Sequence, residues 1–149
     1  MSFTHNSIYR KEEYGYYTAV YSYEMPQGVS EYLKPFAFLT TLDLSNNGMW
    51  NSDGLNSLDV PQLVTLNLAG NSIYASLDTF ALDKLTNLKT LDMSNEGIYR
   101  NNIYGTIPTF LIQQLETLNL KGQYLNGLVG ADLKADIPLK TLKGRAMST

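Results

Sequence analysis

The chain has 149 residues, a formal net charge of −3 and no cysteine, a length that makes one ordinary domain able to bury a core without covalent staples. The absence of cysteine removes disulfide frameworks, zinc knuckles, iron–sulfur clusters and thiol catalysis together, and a single histidine, His5, leaves little for imidazole metal sites or a Ser-His-Asp triad. The mild acidity lacks the basic excess of a general nucleic-acid binder, and no apolar run approaches the roughly 18–20 residues of a membrane span.

The N-terminus stands apart. Seven of the eleven tyrosines (Tyr9, Tyr14, Tyr16, Tyr17, Tyr21, Tyr23 and Tyr32) fall within the first 32 residues. The stretch from Tyr14 to Tyr23 is rich in β-formers and partly alternating, and Met25-Pro26-Gln27-Gly28 reads as a turn. Residues 1–35 are therefore expected to form a cap, either a hairpin or a degenerate first coil. Its tyrosines could pack their rings on the neighbouring coil or form an exposed aromatic contact surface. No apolar core of a secretory leader occurs in the first 25 residues.

From residue 36 onward the chain repeats. LTTLDLSNNGM begins at Leu39, LVTLNLAGNSI at Leu63, LKTLDMSNEGI at Leu88 and LETLNLKGQYL at Leu115, with a decaying fifth, LKTLKGR, at Leu139. Aligned on Leu42, Leu66, Leu91, Leu118 and Leu142, the spacings are 24, 25, 27 and 24 residues. The alternation at the end of each unit predicts a short strand. A period near 24 fits one turn of a solenoid on a parallel sheet, in which only stacked coils bury their leucines. The links between strands are expected to be irregular or 3₁₀, with helical turns over residues 79–85 and 109–114.

This pattern resembles the leucine-rich repeats, L-x-x-L-x-L-x-x-N-x-L, over residues 36–145. The resemblance implies a short right-handed horseshoe with a parallel sheet on its concave face. It also implies that Asn47 and Asn71 bond backbone groups of adjacent coils. Glu96 and Gln123 stand at that slot in the next two repeats, where a break in the ladder and a local bulge are expected. Met49, Ile73, Ile98 and Leu125 fill the apolar position two residues on. Ile103-Tyr-Gly105-Thr-Ile107-Pro108 is similar to the L-x-G-x-I-P tail of plant-type repeats, displaced by an insertion carrying residues 99–102.

The register also sets which residues line the open face. One lane is Thr41, Thr65, Thr90, Thr117 and Thr141; the next is Asp43, Asn67, Asp92, Asn119 and Lys143. Stacked threonines suit neighbouring strands. Alternating Asp with Asn avoids carboxylates on adjacent strands about 4.8 Å apart. Larger groups lie just past the strands: Trp50, Tyr74, Tyr99 and Tyr124 flank the apolar position of their repeats. This aromatic stripe either supports the stack or forms a rim that touches a peptide or a sugar. Together with Asp43, Asn67, Asp92 and Asn119 it makes the set of candidate binding residues.

Catalytic signatures are missing. Asp43-Leu-Ser45-Asn-Asn47-Gly48 starts like a calcium loop, yet its twelfth position is Gly54 instead of a bidentate glutamate. No phosphate-binding, dinucleotide, zinc-protease or nucleophile-elbow motif occurs. Charge is uneven, with eight acidic and three basic residues over 31–96 but five basic and two acidic over 121–149. The expected protein is non-enzymatic and needs no cofactor or metal. It binds another protein or peptide, and it is intracellular, because neither a leader nor a glycosylation sequon is visible. The rival expectation is a structural subunit held in a larger assembly through the tyrosine-rich N-terminus.

Overall fold

The computed structural model describes residues 8–11, 17–20, 38–49, 52–56, 58–97, 99–128 and 140–146. Trp50, Ile98, the turn at residues 25–28 and most of the N-terminal tyrosine-rich segment lie outside them. Of that segment, β1 (Ile8–Lys11) and β2 (Tyr17–Val20) pair antiparallel as a separate two-stranded sheet.

Each leucine-repeat unit forms the strand its alternation calls for. β3 (Thr41–Asp43), β4 (Thr65–Asn67), β6 (Thr90–Asp92), β8 (Thr117–Leu128) and β9 (Thr141–Ala146) lie side by side, all parallel. The register is the one the sequence sets. Thr41, Thr65, Thr90, Thr117 and Thr141 are successive partners, and so are Leu42, Leu66, Leu91, Leu118 and Leu142. A second row of parallel pairs runs behind the first: β5 (Tyr74–Ser76), β7 (Asn102–Ile107) and the far half of β8. The twelve-residue β8 belongs to both rows and joins them into one seven-stranded curved sheet, the short horseshoe architecture expected of the repeats.

Links between strands are short. α1 spans Asp53–Asn56, the 3₁₀ turns η1 and η2 span Leu77–Thr79 and Leu82–Lys84, and α2 spans Thr109–Gln114. Turns η1, η2 and α2 fall where the sequence points; α1 was not anticipated. Between strands and links lies one continuous apolar core. Leu42, Leu66, Leu91 and Leu118 are wholly buried in it, as are Leu63, Leu88 and Leu115. Each leucine layer is covered by the coil on either side, so burial is a property of the stack.

The polar ladder is more continuous than the repeat alignment suggests. Asn71 is buried and uses its whole amide: Nδ2 donates to the Leu44 and Leu68 carbonyls (3.0 and 2.9 Å), and Oδ1 accepts from the Asn47 and Met49 amides (2.9 and 3.2 Å). One coil on, Asn101 takes the same part. Its Nδ2 donates to the carbonyls of Leu68 (2.9 Å) and Met93 (3.3 Å), and its Oδ1 accepts from the Ile73 amide (3.1 Å). Gln123 continues the series, donating to the Met93 carbonyl (2.7 Å) and accepting from the Ile103 amide (2.8 Å). The expected break at Glu96 and Gln123 is thus corrected. The chain leaves the ladder after Asn95 and rejoins it at Asn101, and the extra methylene of glutamine still lets its amide reach. Glu96 is exposed, because a carboxylate there could not donate to the carbonyls that the buried slot presents.

The segment leaving the ladder folds back across the preceding coils. The Tyr99 amide donates to the Gly70 carbonyl (3.2 Å). A Cβ on Gly97 would stand 2.5 Å from the Gly70 Cα and 2.2 Å from Asn46 Oδ1, so the approach requires glycine at both positions. Gly105, the glycine of the plant-type tail, has φ +83°, and a Cβ there would meet Ser76 Oγ at 2.1 Å. That glycine lets β7 pass the Ser76 hydroxyl, which donates to the Asp78 carboxylate.

Ser94 is buried, and its hydroxyl has no hydrogen-bond partner. Ala69 occupies the same lane one coil earlier and is buried without a hydroxyl. Ser94→Ala is therefore expected to leave stability unchanged or raise it by about 1 kcal/mol in urea unfolding. A clear loss would mean that the hydroxyl has a partner.

Candidate functional site

The second row of strands exposes what the first does not. Along β5 and β7, Ile73, Ala75 and Leu77, then Ile103, Gly105 and Ile107, point inward, and the residues between them point out. This alternation puts tyrosines on one face. Tyr74 is 65% exposed, Tyr124 61% and Tyr104 36%. The Tyr74 and Tyr104 rings lie with centroids 5.3 Å apart at 47°, and Tyr104 is the register partner of Tyr124 on β8. The three rings form a row across three adjacent strands.

Two members of the expected stripe are thus placed together, Tyr74 and Tyr124. Tyr99 is not: it is half-buried in the segment that folds back over Gly70. Trp50 lies outside the described residues. Tyr104 was missed because the repeat was aligned on Glu96. The signal was present, since Asn101-Asn-Ile103-Tyr104 repeats Asn71-Ser-Ile73-Tyr74.

The four polar candidates of the first row act within the chain. Asp43 Oδ1 accepts from the Ser45 amide (2.9 Å), Asn67 Oδ1 from Ala69 (3.0 Å), Asp92 Oδ1 from Ser94 (2.9 Å) and Asn119 Oδ1 from Lys121 (3.3 Å). Each side chain turns back on the backbone two residues ahead and so shapes the bend that ends its strand. The alternation of acid and amide has a further use: Asn119 Nδ2 donates to Asp92 Oδ2 across neighbouring strands (2.8 Å).

Tyr124 also borders an open depression of about 560 Å³, lined by Asn95, Glu96, Gly97, Arg100, Asn101, Asn102, Lys121 and Gly122 as well. One wall is the segment that leaves the ladder; the other is the middle of β8. Lys121 donates to and pairs with Glu96 across the depression. That hydrogen bond and the Lys121 charge, with a smaller contribution from Lys143, hold the Glu96 carboxyl below its ordinary value. The same contact raises the Lys121 ammonium above its own. Among the described residues, no group of three or more His, Asp or Glu side chains could hold a metal ion, and no helix is long and apolar enough to cross a membrane.

Comparison with family models, with curated proteins and with solved structures finds no match to this chain.

Proposed function

We propose that the chain is a non-catalytic binding module of the leucine-rich-repeat type that holds a protein or peptide against its tyrosine row. The exposed, neighbouring rings of Tyr74, Tyr104 and Tyr124 carry this reading. Tyrosine suits a contact surface because it offers a large amphipathic area at little rotamer cost, and it is enriched among residues that dominate interface energetics. The face with the threonine lane offers less, as the Asp and Asn oxygens beside it already accept hydrogen bonds from their own chain.

The test is selection from a random peptide-display library against the immobilised chain. Enriched peptides should bind the variant Tyr74→Ala/Tyr104→Ala/Tyr124→Ala about a hundredfold more weakly, as expected when interface anchors are removed. The variant should keep its far-UV circular dichroism, since all three hydroxyphenyl groups face solvent. Selection that enriches nothing, or peptides that bind wild type and variant alike, would overturn the reading.

A further inference from the structure

The depression beside Tyr124 holds more positive charge than its own contacts neutralise. Glu96 is its only carboxylate among the described lining residues, and Lys121 already pairs with it. Arg100 is exposed and has no acidic partner among the described residues. Lys143 stands close enough to act on Glu96, which adds a third cation to the neighbourhood. A chain of net charge −3 thus carries a local positive spot at one end of its aromatic row. The exposed Asn102 adds an amide whose two donors have no acceptor within the chain. It is the register partner of Tyr74 on the neighbouring strand, two residues before Tyr104.

From this placement we infer that the depression takes the side-chain carboxylate of an acidic residue in an extended peptide whose apolar side chains lie on Tyr74, Tyr104 and Tyr124. This deepens the binding-module reading and rests on it. A guanidinium binds a carboxylate through two parallel hydrogen bonds, giving direction as well as attraction. An internal Asp or Glu fits better than a chain terminus. A terminal carboxylate is typically gathered by converging backbone N–H groups, and two of those at this site are already committed. The Asn95 amide donates to the Lys121 carbonyl (2.9 Å) and the Asn102 amide to the Ile73 carbonyl (2.8 Å). Glu96, held by Lys121, would repel an acid placed on its own side, so the incoming carboxylate is directed toward Arg100.

The probes are the peptides enriched by display, resynthesised with a fluorophore and an amidated C-terminus, and titrated by fluorescence anisotropy. They are expected to share at least one Asp or Glu. Arg100→Gln should weaken them about tenfold, and Arg100→Lys less, because the lysine keeps the charge and loses the fork. Replacing the peptide's acid by its amide should weaken binding to wild type by a similar factor and have little further effect on Arg100→Gln. Peptides without an acidic residue, or a change under about twofold for Arg100→Gln, would overturn this inference and leave the tyrosine-row reading standing. A selection that enriches nothing would overturn both.

Discussion

Replacing Asn71 by alanine is expected to remove most of the stability of the chain. The substitution takes away two donors and one doubly used acceptor at a buried site. The carbonyl of Leu44 and the amides of Asn47 and Met49 then lose a partner where water has no ready access. A buried polar group left unmatched costs about 1–3 kcal/mol, and several fall together here, so a loss of about 3–5 kcal/mol is expected against a total of about 5–15 for a domain this size. Asn101→Ala should behave alike, since it orphans the Ile73 amide and weakens two coils at once. Glu96→Ala, at the slot where the repeat alignment puts the ladder residue, should leave the urea midpoint where it was. Urea unfolding followed by far-UV circular dichroism checks all three. A large shift for Glu96→Ala with none for Asn101→Ala would reverse the assignment.

Leu91→Ala is expected to lose about 2–5 kcal/mol, the range for deleting a buried leucine whose surroundings cannot collapse. Leu91 is wholly buried, with Leu66 and Leu118 as its register partners on the two adjacent strands. Strand pairing fixes the spacing of those coils, so the cavity cannot close from either side. Leu142 holds the same repeat position in the last described strand but is 40% exposed. Leu142→Ala should therefore cost clearly less. Equal losses at the two sites would show that the final coil is covered as fully as the middle ones.

The parts of the fold that depend on repetition were legible from the sequence. Five copies of the same spacing place Thr41 through Thr141 in register before any coordinate is known, and the structure pairs them so. The second row of strands was harder to see. Its apolar positions include Ala75 and Gly105, which give a weak alternation, and it exists because β8 runs on past the turn. Local counting from Leu91 put the ladder at Glu96. Only the hydrogen-bonding needs of buried carbonyls distinguish Asn101 as the residue that fits. The same displacement hid Tyr104 and assigned Tyr99 to the row. Asp43, Asn67, Asp92 and Asn119 looked like an open polar lane because a sequence does not show that each folds onto its own backbone.

The central functional claim is that a partner lies on the tyrosine row and not on the threonine face. Nuclear magnetic resonance of the chain titrated with a display-selected peptide separates the two, with tyrosine ring and threonine methyl signals followed together. The ring signals of Tyr74, Tyr104 and Tyr124 should move with peptide concentration, while the methyls of Thr65, Thr90 and Thr117 stay in place. Movement of the threonine methyls with still tyrosine rings would contradict the account.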